Sequence, residues 1–409
     1  MTLLQNKRIV LAVTGSIAAY KAADLASKLT QAGALVDVIM TEAAERFVTP
    51  LSFQSLTGRP VYTNLWQNES SGALPTHIAH VGLAEGADLL LVAPATANTL
   101  AKLAHGLADD LLTVTALAAR CPIVVAPAMD GSMYQHPATQ ANVATLRQRG
   151  VTIIEPESGR FASGLVGQGR LPETITLLGH VRLALGRSAA LAGKHVIVTA
   201  GGTHEAIDPV RFITNRSSGK QGYALAQAAL DAGAAVTLVT ASDLPQPVGA
   251  QIINVSSAEH MQQAVLEHLA TADALLMAAA VADFRPQSRA DQKIKKKDDS
   301  DEAPTIILAR TPDILLSVKD RRSTTGRPYV VVGFAAESEK LLAHARAKLE
   351  RKGLDLLIAN DITAPDAGFE VDTNRVVILG ADGSQTPLAL ATKTRIAEAI
   401  ISRVTHLLP

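Results

Sequence analysis

The chain is 409 residues long, more than one ordinary hydrophobic core accommodates, so its length favours two or three domains. With 47% apolar and 19% charged residues, its composition is that of a folded globular protein and excludes a disordered chain. Lys plus Arg and Asp plus Glu both number 38, which excludes a strongly basic surface for nucleic acid or an anionic membrane. The single cysteine excludes an internal disulfide framework and favours a reducing cytoplasm. No apolar run approaches the roughly 18 residues that a membrane-spanning helix needs.

A unit of strand, glycine turn, helix and strand occurs twice along the chain. In the first half its strand, helix and second strand are predicted at residues 8–14, 17–32 and 35–41. In the second half the same three elements are predicted at residues 195–200, 219–232 and 235–240. An insert at 201–218 separates the first strand of this second copy from its helix. Both copies are typical of the opening of a doubly wound parallel sheet.

The alternation of strands and helices continues through both halves. Further strands are predicted at residues 88–93, 122–128, 151–155, 251–255, 273–281, 304–309, 328–334 and 354–359. Helices with good periodicity are predicted at 256–271 and 338–352. We therefore expect an α/β protein with two doubly wound, Rossmann-like domains, at residues 1–186 and 190–409.

Small polar residues follow the predicted strands of the first half, at the edge where open α/β sheets bind ligands. Gly15 and Ser16 lie between a strand and a helix N-terminus, which suits a phosphate; a tight turn with Ser16 as N-cap is the alternative. Thr41, Thr96 and Asn98 follow the next strands. The full G-x-G-x-x-G pattern is absent, so a dinucleotide fingerprint is not supported.

Two further features of the first half suggest a site. His77 and His80 precede a short helical stretch and lie beside the strands that end in small polar residues. The glycine-rich segment 158–170 has no periodicity, which predicts either a mobile flap or a plain linker.

The motifs of both halves resemble known enzyme families. Residues 15–21, 94–98 and 127–129 resemble the flavin-dependent cysteine decarboxylases. Residues 208–220, 279–284 and 293–296 resemble the phosphopantothenate–cysteine ligases. Nearly the whole chain resembles the bacterial bifunctional proteins that carry both activities in coenzyme A synthesis. This resemblance implies a flavodoxin-like flavoprotein domain, followed by a ligase domain with a parallel-rich mixed sheet.

For the first domain the resemblance implies FMN as cofactor and 4'-phosphopantothenoylcysteine as substrate. Flavin oxidation of the substrate thiol allows the carboxylate to leave, because the C=S group then accepts the electrons. The implied FMN contacts are Gly15, Ser16, Ile17, Thr41, Thr96 and Asn98.

The resemblance also implies three catalytic positions in the first domain. His80 is expected to assist the reaction, with His77 as second choice. Asp130 stands where the family has an Asn that holds the substrate carboxylate, so it must be protonated, turned away or replaced in role. Ser163 stands at the family's proton-donating Cys, and a hydroxyl is a much weaker acid than a thiol. We therefore expect the final proton to come from water, His80 or Asp130.

For the second domain the resemblance implies that CTP activates phosphopantothenate as an acyl-cytidylate, from which cysteine displaces CMP. Arg211, Asn215 and Lys293 are the expected catalytic residues. The expected CTP contacts are Met277, Ala278, Ala279, Asp283, Lys293, Pro312, Asp313, Ile314, Leu315, Phe334, Lys348 and Lys352. The substrate phosphate is expected at Ser217, Ser218 and Gly219, for which a capping turn is the alternative. Mg²⁺ is expected on the triphosphate, and the resemblance assigns no protein ligands to it.

Other interpretations stay open from the sequence. They are a ligase whose flavin-binding domain decarboxylates poorly, a flavin-binding regulatory subunit, and an NAD(P) oxidoreductase. By resemblance we also expect a cytoplasmic homo-oligomer, in which flavin domains form trimers that build dodecamers and ligase domains dimerise. The expected partners are phosphopantothenate, cysteine and CTP, with neither nucleic acid nor a membrane.

Overall fold

A computed structural model describes residues 3–66, 78–295, 304–337, 341–361 and 371–409. The chain divides into two compact units, Met1–Gly186 and Arg187–Pro409. Among the described residues, no helix combines the length and apolarity needed to cross a membrane.

The first unit alternates strands and helices along the chain. Its described strands are β1 (Arg8–Val13), β2 (Leu35–Met40), β3 (Val61–Tyr62), β4 (Leu89–Ala95), β5 (Ile123–Pro127), β6 (Thr152–Ile153), β7 (Glu157–Arg160) and β8 (Val166–Arg170). Its described helices are α1 (Ala19–Gln31), α2 (Glu42–Glu45), α3 (Pro50–Thr57), α4 (Ala79–Gly86), α5 (Ala97–His105), α6 (Leu111–Ala118), α7 (Gly131–Gln135), α8 (Pro137–Gln148) and α9 (Thr174–Gly186).

The described strands β1 to β6 form one parallel sheet in the order β3-β2-β1-β4-β5-β6. Strand β1 is buried on both faces: Ile9 and Leu11 belong to the core that contains α1, whereas Val10 belongs to the core on the opposite face. Continuous apolar runs therefore form strands here because helices cover both sides of the sheet. The order reverses between β1 and β4, where doubly wound sheets open a crevice for ligands.

A buried carboxylate ties β2 to its surroundings in the first unit. Asp37 is 0% exposed, and its two oxygens accept hydrogen bonds from Arg8 Nε at 2.6 Å and Arg59 Nε at 2.8 Å. Both arginine side chains are themselves largely buried. The apolar pattern of β2 accommodates an Asp because the two guanidinium groups replace the water that this carboxylate loses.

The second unit has a longer list of elements. Its described strands are β9 (His195–Ala200), β10 (His204–Ala206), β11 (Phe212–Thr214), β12 (Ala235–Thr240), β13 (Ala250–Asn254), β14 (Ala274–Met277), β15 (Phe284–Pro286), β16 (Leu308–Arg310), β17 (Val330–Glu337), β18 (Leu356–Asp361), β19 (Thr373–Gly380) and β20 (Gln385–Thr392). Its described helices are α10 (Lys220–Asp231), α11 (Ala258–His268), a 3₁₀ helix (Leu269–Thr271), α12 (Ile314–Thr325), α13 (Leu341–Lys352) and α14 (Lys393–Leu407).

The main sheet of the second unit, over the described residues, has the order β13-β12-β9-β14-β17-β18-β19-β20. Its strands are parallel up to β18, and β19 and β20 continue it antiparallel. The switch point lies between β9 and β14, the counterpart of β1 and β4 in the first unit. The predicted α/β class, with two doubly wound domains and a parallel-rich mixed second sheet, is confirmed.

Several predicted elements differ in the structure. The strand predicted at 304–309 is reduced to β16, which among the described residues pairs antiparallel with β15 in a separate two-stranded sheet, where its side chains are mostly exposed. Strands β19 and β20 and helix α14 were not predicted; most of the side chains of β20 are exposed, so it lacks the apolar run of a central strand. Of the predicted helix 338–352, the first three residues lie outside the described residues.

The two units share a hydrogen-bond arrangement at the start of their first strands. Asp88 N donates to Arg8 O at 2.8 Å, and the Asp88 carboxylate accepts from Arg8 N at 2.8 Å. His195 and Asp273 repeat this in the second unit, with a 2.7 Å bond from His195 N to Asp273 Oδ2. The repeated sequence pattern therefore corresponds to a repeated local structure.

Asp37→Asn tests the buried ion cluster. Because it leaves the Arg8 and Arg59 guanidinium groups without their counter-ion, we expect the first unit to lose roughly 3–5 kcal/mol of unfolding free energy. Hydrogen exchange of the β1 and β2 amides, followed by mass spectrometry on the full chain, measures this loss. Glu42→Gln is the matched control: it breaks the exposed pair of Glu42 with Arg46 and should cost under about 0.5 kcal/mol. Equal, small losses in both variants would contradict the interpretation.

Candidate active sites

A buried threonine joins the two central strands at the switch point of the first unit. Thr14 is 1% exposed; its hydroxyl donates to Pro94 O at 2.7 Å and accepts from Thr96 N at 3.1 Å. These bonds cross from the end of β1 to the end of β4, where the strands diverge and the crevice opens. Thr14 therefore fixes the position of the loop that carries Thr96.

The turn between β1 and α1 presents neutral donors. Helix α1 has Ala18 as its N-cap and no side-chain cap, so the alternative of Ser16 as N-cap is wrong. Ser16 Oγ accepts only a 3.3 Å bond from Ala18 N, ahead of the helix. The amides of Gly15 and Ile17 have no acceptor within the described part of the chain. An anion at this helix N-terminus would meet unpaired N–H groups and the positive end of the helix dipole.

Gly15 is required by close packing. A Cβ added at this position would collide with the Cβ of Ala43, in the helix that follows β2. The turn can therefore lie against the end of the neighbouring strand only with a glycine here.

The other predicted FMN contacts of the first unit have structural partners of their own. Thr41 caps α2 by accepting from Ala44 N at 3.3 Å, and Thr96 caps α5 by accepting from Thr99 N at 3.2 Å. Asn98 lies exposed in the first turn of α5. All three stand at the carboxyl ends of β2 and β4, on the same edge of the sheet as Ser16.

The predicted histidine His80 lies half-buried in the first turn of α4. Because α4 leads into the amino end of β4, its first turn lies toward the carboxyl edge of the sheet, where the other predicted residues stand. His77, the second choice, lies outside the described residues.

Asp130 and Ser163, the two departures from the family pattern, contact each other. Ser163 Oγ donates to Asp130 Oδ2 at 3.0 Å, while Ser132 N and Ser132 Oγ donate to Asp130 Oδ1 at 3.1 and 3.0 Å. These donors, those of Ser132 first, lower the pKa of Asp130 below its usual range. These bonds favour the ionised form of Asp130 and engage both of its oxygens.

The glycine-rich segment 158–170 is neither a linker nor irregular over its whole length. Strands β7 and β8 pair antiparallel within it, and Met129 N donates to Gly169 O at 3.0 Å. The Phe161 ring packs close to Gly131 and Gly167. The hairpin is thus seated on the residues that follow β5, next to Asp130.

The second unit also has a buried threonine between its two central strands, near the end of β9. Thr199 Oγ1 accepts from Ala279 N at 3.1 Å and bonds Met277 Sδ at 3.6 Å, which joins the ends of β9 and β14. The Met277 side chain is buried in the core, so only its backbone is available to a ligand. Ala278 and Ala279 are half-buried at the strand end.

Asn215 is held by the backbone beyond β14. Its Nδ2 donates to Ala280 O at 3.2 Å and Val281 O at 3.1 Å. Since both neighbours are acceptors, they must face the amide NH₂ group, which leaves Oδ1 directed away from them. The residue is exposed, and its Oδ1 is the atom that can accept from a ligand.

The predicted catalytic cations of the second unit come together. Arg211 Nη2 donates to Ile294 O at 2.9 Å, next to Lys293. Lys293 is exposed, and the end of the lysine run that it opens, residues 296–297, lies outside the described residues.

Ser217, Ser218 and Gly219 form the turn before α10, the place that Gly15 to Ala18 occupy in the first unit. Gly219 is the N-cap, with a φ of 80° and no side-chain cap, and Ser242 Oγ donates to Ser218 O at 2.9 Å. An added Cβ at Gly219 would meet Ser242 at 2.8 Å, so this turn lies against the end of β12. Gly219 of this turn is itself the N-cap of α10, so the turn both caps the helix and leaves the predicted phosphate contact as a prediction.

The remaining predicted CTP contacts are distributed around α12 and α13. Lys352 is 7% exposed and forms an ion pair with Asp313, the N-cap of α12, whose Oδ1 accepts from Leu316 N. Burial lowers the pKa of Lys352, an effect that the nearby Asp283 carboxylate opposes. Lys348 Nζ donates to Phe334 O at 2.8 Å. The charge of Lys352 is therefore already compensated inside the protein.

Three more of the predicted CTP contacts lie around the start of α12. The Ile314 side chain is buried in the core and Leu315 packs against it, so these two offer their backbone amides only. Pro312 is half-buried in front of α12. Within the described ranges, no group of three or more His, Cys, Asp or Glu side chains is placed to hold a metal ion.

Sequence reasoning assigned no role to Thr14, Thr199 or Asp208. Asp208 is buried and accepts hydrogen bonds from Arg211 and from the amide of Ile294. An Asp three residues before an Arg in a proline-containing turn was the local signal. The two threonines stand at or near the ends of apolar strands, where sequence alone does not distinguish them from ordinary strand residues.

Two family models cover the chain. Residues 2–183 match the family described as Flavoprotein, and residues 191–408 match the DNA/pantothenate metabolism flavoprotein C-terminal domain.

Relatives match over the full length. The chain is 47% identical to the coenzyme A biosynthesis bifunctional protein CoaBC of Bacillus subtilis, over 99% of this chain and 98% of that protein. It is 47% identical to the CoaBC protein of Mycobacterium tuberculosis, over 97% of this chain and 96% of that one. For CoaBC of Vibrio vulnificus the identity is 45%, over the whole of both chains.

Among solved structures, the C-terminal domain of a CoaBC protein is 35% identical, with a TM-score of 0.45, over 54% of this chain and 98% of that one. The FMN-dependent cysteine decarboxylase SpaF is 35% identical, with a TM-score of 0.38, over 44% of this chain and 97% of that one.

The full-length identities confirm the resemblance predicted from the motifs, and with it an enzyme with two activities in coenzyme A synthesis. The chain belongs to the family of bifunctional coenzyme A biosynthesis proteins.

Proposed function

We propose that the second unit joins 4'-phosphopantothenate to cysteine with CTP, and that the first unit decarboxylates the product to 4'-phosphopantetheine with FMN. The observation that carries this assignment is the difference between the two sheet edges. The first edge offers neutral amides and hydroxyls, whereas the second brings Arg211 next to Lys293. A triphosphate and an anionic acyl phosphate need cations, whereas a phosphate monoester is held well by helix N-terminal amides.

The donor set of the first unit fits the phosphate of FMN. Gly15 and Ile17 contribute amides without an acceptor among the described residues, and Ser16 and Thr41 contribute hydroxyls. Thr96 and Asn98 at the end of β4 supply the polar groups across the crevice. When bound, FMN withdraws two electrons from the substrate thiol group and later returns them, which makes loss of the carboxylate feasible.

The chain's own residues position the substrate and move its protons. We assign proton transfer to His80, because its imidazole lies in the first turn of α4, toward the carboxyl edge of the sheet, and imidazole is the side chain that most often acts as a general acid–base. Asp130 is charged and bound to Ser132 and Ser163, so it holds the β7–β8 hairpin in place and does not bind the substrate carboxylate. The Ser163 hydroxyl directs its proton to Asp130, so the final proton comes from His80 or water.

In the second unit, the geometry of Arg211, Asn215 and Lys293 suits both half-reactions. In the first, a phosphopantothenate carboxylate oxygen bonds the α-phosphorus of CTP and the bond to the β-phosphate breaks, releasing pyrophosphate. Arg211 and Lys293 face the negative charge of that step. In the second, the cysteine amine bonds the acyl carbon, CMP leaves and the amine loses a proton. We assign Asn215 Oδ1 to accept from that amine, a role supported by the two backbone carbonyls that hold the Asn215 Nδ2 group.

The nucleotide is assigned to the carboxyl edge formed by β14, β17 and α12. Lys348 and Phe334 flank it, the strand end at Ala278 and Ala279 borders it, and the start of α12 offers the backbone amides of Ile314 and Leu315. Mg²⁺ is assigned to the triphosphate oxygens and water, in line with the lack of a preformed carboxylate cage among the described residues.

We also propose how the chain assembles and in which compartment it acts. The apolar side chains of Phe212, Phe284 and Ile307 are exposed, on or beside the two-stranded sheets β10–β11 and β15–β16 of the second unit. Such a face favours self-association, and we propose dimers of this unit and trimer-based dodecamers through the first. The reducing cytoplasm is the proposed compartment, because a cysteine substrate must stay a free thiol.

Incubation of the full chain with phosphopantothenate, CTP, Mg²⁺ and cysteine tests the proposed function. We expect mass spectrometry to detect phosphopantetheine, with one pyrophosphate and one CO₂ released per turnover. Accumulation of phosphopantothenoylcysteine without CO₂ would identify a ligase with an inactive first unit. Absence of pyrophosphate release would refute the ligase assignment itself.

Ser163→Ala tests the role of the hydroxyl in the first unit. Because Ser163 contributes one hydrogen bond to Asp130 and no proton to the product, we expect decarboxylation to fall at most about fivefold, the equivalent of ~1 kcal/mol. Single-turnover CO₂ release measures the rate, with Ser158→Ala, on the same hairpin, as control. A loss of about 100-fold, near the 10²–10⁴-fold contribution of a general acid, would show that Ser163 is the proton donor.

A further inference from the structure

Asp208 lies at the centre of the contacts that link the insert of the second unit to the lysine run. It is 2% exposed, and its side chain has no exposed surface. Oδ1 accepts from Val210 N at 2.8 Å and Arg211 N at 2.9 Å, which closes the turn after it. Oδ2 accepts from Arg211 Nε at 3.0 Å, from Arg211 Nη2 and from Ile294 N at 3.1 Å. One carboxylate thus makes five hydrogen bonds to two separate segments.

The backbone of Ile294 is held on both sides by this arrangement. Its N–H donates to Asp208, and its C=O accepts from Arg211 Nη2 at 2.9 Å. The same segment is also tied at Ala290, whose N–H donates to Ile207 O at 3.0 Å. Because Lys293 directly precedes Ile294, these bonds determine where the Lys293 side chain starts.

One edge of the Arg211 guanidinium binds groups of the protein, and the other edge is open to a ligand. Nε and Nη2 are occupied by Asp208 and Ile294, while Nη1 has no acceptor within the described part of the chain. The Arg211 side chain is 46% exposed, so Nη1 is accessible to a ligand. The Arg211 guanidinium, with the surrounding amides, holds the pKa of Asp208 far below its usual range, so the group is a carboxylate at every working pH.

We propose that Asp208 is the positioning residue of the ligase reaction, which holds Arg211 and Lys293 in one arrangement so that both cations meet the same anionic phosphoryl centre. The proposal rests on the function assigned above to the second unit. Cations that are already oriented stabilise charge in the transition state without the cost of ordering two long side chains during the reaction. Asp208 itself does not touch the substrate and acts through its two neighbours.

Asp208→Asn is the direct test, because an amide NH₂ group cannot accept from Arg211 or Ile294. In the full chain we expect kcat for CTP-dependent pyrophosphate release to fall by about 50-fold or more, with the KM for CTP changed less than about fivefold, because orientation and not ground-state binding is lost. Asp273→Asn is the matched control. Asp273 is also buried and paired with an arginine, Arg327, but at the opposite end of the sheet. It should lower thermal stability and leave kcat within about threefold.

A double-mutant cycle separates positioning from a general structural role. Because part of the effect of Asp208 acts through Arg211, Asp208→Asn should reduce kcat by a smaller factor in an Arg211→Ala background than in the original chain. Full additivity of the two losses, or an Asp208→Asn variant with kcat within about threefold of the original, would overturn the proposal. If Asp208→Asn does not fold, Asp208→Glu serves instead: one extra methylene displaces the charge, and we expect at least about a tenfold loss of kcat at near-original thermal stability. An unchanged kcat in that variant would equally overturn it.

Variants of Lys293 and Arg211 test the proposed function independently of the positioning role of Asp208. Lys293→Ala should lower kcat/KM for CTP by about 10-fold or more through loss of a charge-assisted contact, whereas Lys295→Ala, two residues along the same exposed run, should not. If Arg211→Ala and Lys293→Ala both keep full activity, the ligase assignment of these residues fails. If they lose activity and Asp208→Asn does not, only the positioning role fails.

Discussion

A buried threonine hydroxyl holds the ligand edge of each unit together. At the switch point of a doubly wound sheet the two central strands diverge, and the sheet hydrogen bonds that would connect their ends are no longer available. Thr14 and Thr199 replace them: each side chain bonds the backbone that follows the opposite strand. The loops that carry Thr96 in one unit and Ala279 in the other are positioned by these bonds, and the ligand contacts of both edges depend on them.

The two edges share this geometry and differ in charge. The first has neutral donors at a helix N-terminus, whereas the second adds Arg211 and Lys293. The zero formal charge of the chain conceals this difference, because nearby carboxylates compensate the cations locally. Asp208 at Arg211 and Asp313 at Lys352 show two uses of such pairing. In the first the arginine stays accessible; in the second the lysine is withdrawn from solvent.

Much of the fold can be predicted from the sequence, because local patterns of apolar strands, glycine turns and amphipathic helices are typical of a doubly wound sheet. Strand β20 was not predicted, because its exposed side chains form no apolar run. The contact between Asp130 and Ser163, which are 33 residues apart, was also not predicted, because no local sequence pattern shows which loops meet at a sheet edge. The sequence did show that both positions depart from the family pattern; only the structure shows that the two departures bond each other.

The most direct test of this account replaces each switch-point threonine by the nearly isosteric valine in the full chain. Thr14→Val should lower bound flavin and CO₂ release by about tenfold or more and leave pyrophosphate release within about twofold, because one buried hydroxyl with two partners is lost in the first unit only. Thr199→Val should do the reverse. If each variant keeps both activities, or lowers both equally, the threonines do not position the two ligand edges.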